Sequence, residues 1–130
     1  MLYNILHCDP LTPILTVSQL RSLVTKIASS PQRRFRFRET SAKIYKNTIA
    51  PNGTRLADLM VVRDVATRWN YTHAMIKRAR LLQRAVDRWA RDREETQCLV
   101  LSTDEWDLLG QIEKMLEVCL PINVRLVKIC

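Results

Sequence analysis

The residues best placed to do chemistry are cations. Between Arg33 and Lys46 the chain carries Arg33, Arg34, Arg36, Arg38, Lys43 and Lys46 against Glu39 alone, with Phe35 and Phe37 interleaved. So few local acids cannot neutralise so many guanidinium and ammonium groups, whereas phosphates would, with a salt-dependent affinity. The competing reading is a solvated basic face whose long side chains cover apolar surface beneath them. For Arg33, Arg34, Arg36 and Arg38 both readings stand. In a second stripe, Lys77, Arg80, Arg84, Arg88 and Arg91, the solvated face is the better account of Arg80, Arg84 and Arg88, because Asp104, Glu105, Asp107, Glu113 and Glu117 are an internal competitor for phosphate. Over all 130 residues, 21 Lys and Arg oppose 13 Asp and Glu, a net charge of +8. That imbalance favours a polyanionic partner without specifying which.

Catalytic chemistry is sparse. There is no Gly-rich phosphate loop, no G-x-S-x-G elbow and no H-E-x-x-H. Asp58 and Asp64 flank an apolar run, but six residues apart on a strand they stand about 20 Å from each other, too far to share an ion. Capping and salt bridging account for them better. The cysteines, Cys8, Cys98, Cys119 and Cys130, form no C-x-x-C pair, and His7 and His73 complete no zinc pattern. No catalytic residue and no metal site is therefore assigned. Free thiols in a reducing intracellular compartment are expected. The N-terminus lacks the apolar core of a signal peptide, and no apolar stretch is long enough to span a membrane, so no membrane partner is expected.

These residues must be carried by helices. Val17, Leu20, Leu23, Val24 and Ile27 recur on one face, predicting a helix of about three turns after an irregular opening bracketed by Pro10 and Pro13. Ser30 is a natural N-cap and Pro31 suits a first helical position, so a second helix is favoured from Pro31 to Tyr45, although the alternation from Phe35 to Arg38 also suits a strand. Asn47 to Thr54, with Pro51, Asn52 and Gly53, reads as a loop. Leu59 to Val62 is the best strand candidate. Over 72–93 a long helix is predicted, with Met75, Ala79, Leu82, Val86 and Trp89 as its seam. Ser102 and Glu105 form a capping box opening an acidic helix with Trp106, Leu109, Ile112, Leu116 and Cys119 inward. Pro121 is expected to end it. The acidic helix is expected to pair antiparallel with the basic one before it.

Three segments carry a resemblance. Arg63 to Ala79, RDVATRWNYTHAMIKRA, resembles the hAT-superfamily transposase signature D-V-x-T-R-W-N-S-T-Y-x-M-L-x-R-A. Leu20 to Arg34 resembles that family's V-R-x-L-V-x-x-I-R-x-S-P-Q-R, and Leu101 to Leu109 its L-x-x-x-E-W-x-L-L. Together they span roughly residues 13 to 120 in order, which makes the match persuasive. The family has an RNase H-like core with an Asp-Asp-Glu triad binding two divalent metals such as Mg, and a helical insertion before the last acid. The resemblance implies that 13–65 is the end of the core region, 66–121 the start of the insertion and 122–130 a divergent tail. Arg68 and Trp69 match the family's Arg-Trp pair, whose Trp is implicated in holding a flipped base at the transposon end. A Trp filling the strand-to-helix corner is the alternative. Tyr71 and His73 replace the family's Ser and Tyr, and the Asp-Asp-Glu acids would lie outside the chain.

The expectation is thus a mainly α, helical bundle-like piece of a transposase, with one or two strands left from an incomplete RNase H-like core. It would be nuclear and DNA-binding through Arg33, Arg34, Arg36, Arg38, Arg68 and Trp69, without cofactor and without catalysis alone. The alternatives are a helical interaction module, offering its seam to another copy or a related transposase chain, and a non-functional transposon remnant.

Overall fold

The computed structural model describes residues 13–63 and 69–125, and side chains over 15–63 and 70–118. Helix α1 (Pro13–Ile27) starts at the proline assigned to an irregular opening, a first-turn residue having no use for its N–H. It buries Leu20, Leu23, Val24 and Ile27, the face that the spacing predicts. Ser30 then holds an extended backbone (φ −151, ψ 158) and its hydroxyl accepts the Arg33 N–H at 3.1 Å, starting α2 (Pro31–Ile44). Helix has won over strand here. Two residues of helix turn the chain by about 200°, so Phe37 is fully buried while Phe35 is 61% exposed.

The expected loop follows α2. Gly53 takes φ 89, its N–H donates to the Ala50 carbonyl, and Ile49 and Arg55 form an antiparallel bridge. A single 3-10 turn, Leu56–Asp58, buries Leu56. The strand expected at Leu59 to Val62 does not form. The segment is irregular, and no sheet exists among the described residues to pair with it. Val61 is buried, while the Met60 carbonyl accepts from Arg78 Nη1 at 2.8 Å instead of from a neighbouring strand. The segment's apolar residues serve packing against helices.

The long basic helix is two helices, α3 (Trp69–Leu81) and α4 (Gln83–Arg91), parted at Leu82 (φ −102, ψ 23). Restarting a helix leaves unpaired N–H groups. The Tyr45 phenol, at the end of α2, accepts those of Arg84 and Ala85 at 3.1 and 3.4 Å. The charged connection holds one turn, α5 (Glu94–Gln97), pinned by the buried Thr96 hydroxyl donating to the Ala90 carbonyl at 2.8 Å. Cys98 is disulfide-bonded, contrary to the free thiols expected.

Helix α6 (Thr103–Arg125) opens on the predicted capping box: Glu105 N–H donates to Ser102 Oγ at 3.1 Å, and Ser102 N–H to Glu105 Oε1 at 2.9 Å. It does not stop at Pro121. A proline removes one backbone bond, but a helix already nucleated over many turns can lose one and continue.

Helices α3 and α6 pack antiparallel, as expected of the basic and acidic pair, with Arg80 meeting Glu113 and His73 meeting Glu117. Helix α1 lies against α6, and α2 against α4 and the 3-10 turn. Met75, Ala79, Leu82, Val86 and Trp89 are buried in one cluster with Trp106 and Leu109. The seam is therefore spent inside the chain, which removes the version of the interaction module that offers it to a partner.

Candidate nucleic-acid interface

Helix α2 sorts its cations by helical position. Arg33 and Arg34 lie in the first turn, beside the α1–α2 corner. Arg33 Nη2 is 2.7 Å from Glu95 Oε1, and Arg34 Nη1 donates to the Ala28 carbonyl at 2.8 Å. Arg33 thereby ties α2 to α5, and Arg34 closes the α1–α2 corner. Arg36 and Arg38 are exposed, as are Lys43 and Lys46, and no acid among the described residues pairs with their side-chain charges. The structure thus divides the four arginines two and two.

Beside Arg36 runs a cleft of about 400 Å³ between α2 and the end of α4, lined by Arg36, Glu39, Thr40, Lys43, Trp89 and Arg93 among others. Arg93 lies 4.9 Å from the Trp89 ring centroid, over its face, an arrangement the ring quadrupole favours. The Trp89 indole N–H is buried without a hydrogen-bond partner. Three cations around one cleft, Arg36, Lys43 and Arg93, next to the exposed ring of Phe35, suit anionic oxygen with a planar group beside it. Glu39 and Asp92 in the same wall limit the field.

The second basic stripe divides as well. Arg80 Nη1 sits 2.6 Å from Glu113 Oε1, while Arg88 lies 3.6 Å from Asp92, the residue that caps the end of its own helix. Asp87, between them, accepts the Trp106 indole N–H at 3.1 Å. Burial pushes the Asp87 carboxyl above its ordinary value, against the opposing pull of Trp106 and Arg91.

Arg68 and the Trp69 side chain lie outside the described residues; Trp69 contributes its backbone as the first residue of α3. Asp58 is exposed and 3.9 Å from Arg55, the salt-bridging role expected of it, and Asp64 also lies outside. One described group has ligand spacing: His73, Glu113 and Glu117 place one donor atom each within 4.8 Å of one another. Glu113 and Glu117 are four apart on one helix and readable as a pair, but His73 joins them only through the register of α3 on α6.

Residues 11–115 match the ZBED1 RNase-like helical domain family. The chain belongs to that family. The match supports a transposase-derived domain, and it agrees with the helical architecture above. A relative named "Putative transcriptional regulator tpeD", from Talaromyces stipitatus, is 32% identical over 106 residues, covering 82% of this chain. The chain spans 11% of that relative's length. No solved structure matches the chain. No helix among the described residues is long and apolar enough to cross a membrane.

Proposed function

We propose that this ZBED1 RNase-like helical domain binds the DNA backbone through the exposed face of α2, with Arg36, Arg38 and Lys43 on phosphates and Phe35 beside them. The observation that carries the reading is the division of the cluster: internal partners take Arg33 and Arg34 and leave the others to solvent. The hAT-like T-R-W-N segment adds Arg68 and Trp69 as the pair that would meet an unstacked base. A relative named as a transcriptional regulator supports a nuclear setting. The reading gives the chain no strand cleavage of its own, so DNA incubated with it and Mg2+ stays intact.

The test is binding to labelled duplex and single-stranded DNA at low salt. Wild-type chain binds both, and Arg36→Glu with Arg38→Glu abolishes it. Trp69→Ala weakens single-stranded DNA most if the indole stacks on bases. A folded chain that binds neither DNA overturns the reading.

A second reading has its own observation. Met115 and Val118, 69% and 70% exposed, lie one turn apart on α6 and favour helix-mediated self-association. Sedimentation of the wild type against Met115→Lys distinguishes it: a dimer that the variant dissolves supports it, and a monomer removes it.

A further inference from the structure

We propose that His73, Glu113 and Glu117 form a binding site for one borderline divalent cation of the zinc class, clamping α3 to α6. Glu113 and Glu117, four residues apart, bring two carboxylates to one face of α6. The antiparallel packing sets the His73 imidazole against them, with one donor atom from each residue within 4.8 Å of the other two. Ligand atoms bound tetrahedrally to zinc at about 2.0–2.1 Å stand roughly 3.3 Å apart. Small side-chain movements therefore close this cluster around an ion.

A second observation points to a ligand. His73 is 8% exposed, and its Nε2 is buried without a hydrogen-bond partner. Glu117 Oε1 lies 3.4 Å from that nitrogen, a poorly directed contact that leaves a buried nitrogen facing a carboxylate. A metal ion placed between them gives both atoms the same partner. One imidazole with two carboxylates suits Zn2+, Co2+ or Mn2+ and not Ca2+ or Mg2+, which prefer oxygen alone.

Arg80 is the competitor. Its guanidinium pairs with Glu113 at 2.6 Å and packs against Gly110. The carboxylates carry two negative charges and Arg80 one positive, so a net negative charge remains for the cation. Arg80 is 40% exposed at its side chain and has solvent to swing into, whereas Glu113 is 11% exposed and stays. The cation and Arg80 therefore oppose each other at one carboxylate, which gives the proposal a sign that a purely structural role lacks.

The experiment titrates the full chain with Co2+, read by visible absorption, and with Zn2+ and Mg2+, read by thermal melting. The expected result is one Co2+ per chain and a melting temperature raised by Zn2+ but not by Mg2+. Glu117→Gln weakens Co2+ at least about tenfold, and Arg80→Gln strengthens it. No saturable Co2+ binding overturns the proposal. So does binding with a thiolate charge-transfer band that Glu117→Gln leaves unchanged, or equal stabilisation by Mg2+. His73→Gln is expected to abolish binding. Should it unfold, Glu117→Gln, altering a half-exposed carboxylate, decides alone.

Discussion

Removing one oxygen at Tyr45 tests why the basic helical stretch breaks where it does. Tyr45→Phe keeps the ring but deletes the acceptor for the Arg84 and Ala85 N–H groups at the start of α4. Leaving a buried donor unpaired costs about 1–3 kcal/mol, and losing a helix cap about 1. The 3.4 Å bond to Ala85 is the weaker of the two, and Phe no longer has to bury a hydroxyl, so the expected loss is about 1–2 kcal/mol. At roughly 2.1 cal/mol/K per residue, 130 residues unfold with an entropy of about 0.27 kcal/mol/K. The melting temperature should fall by about 4–7 °C. Circular dichroism reads the melt, and amide exchange at Arg84 and Ala85 locates the effect. Burial holds the phenol's proton above its ordinary value of 10.0, against the opposing bonds from Ala85 and Arg84. The unfolded chain therefore loses that proton first, and stability declines as pH rises beyond 10. Tyr45→Phe should lose this component of the alkaline decline. An unchanged melting temperature with unchanged exchange at both amides refutes the reasoning.

Two further substitutions have signs fixed by the structure. Asp87→Asn keeps an acceptor for Trp106 and removes a carboxyl whose raised value marks the cost of charging it in the folded chain. It should stabilise at neutral pH, and the gain should vanish in acid as both states of Asp87 become protonated; a loss at neutral pH refutes this. Gly110→Ala gains about 0.5–1 kcal/mol of helix preference, but its Cβ would come 3.0 Å from Arg80 Cζ and push the guanidinium off Glu113. Chemical denaturation should show Arg80→Gln costing less in that background than in wild type; strict additivity refutes the displacement.

Much of the fold was legible wherever local chemistry settled the matter. Ser30 with Pro31, Ser102 with Glu105, and the Met75–Trp89 seam all appear as their spacing required. The misreadings share a cause. Leu59 to Val62 has strand composition, but a strand exists only with a neighbour, and none is there among the described residues. The break at Leu82 depends on a phenol 39 residues from Arg84. Helix length, which Pro121 does not limit, reflects turns already formed before it. At the candidate interface the cluster was visible as charge, but its division was not. Glu95, the partner of Arg33, is 62 residues away, and Arg34 is held by a backbone carbonyl that no charge count reveals. His73 joined Glu113 and Glu117 for the same reason, through tertiary register.

The claim that only part of the arginine cluster faces DNA is tested most directly by the salt dependence of duplex binding. Three phosphates held by Arg36, Arg38 and Lys43 predict a slope of log K against log salt of about −2.7. Arg36→Gln combined with Arg38→Gln should reduce it to about −0.9, while Arg33→Gln, whose partner is Glu95, should leave it unchanged. A slope that Arg33→Gln lowers as much as the double substitution does, in folded chains, contradicts the account.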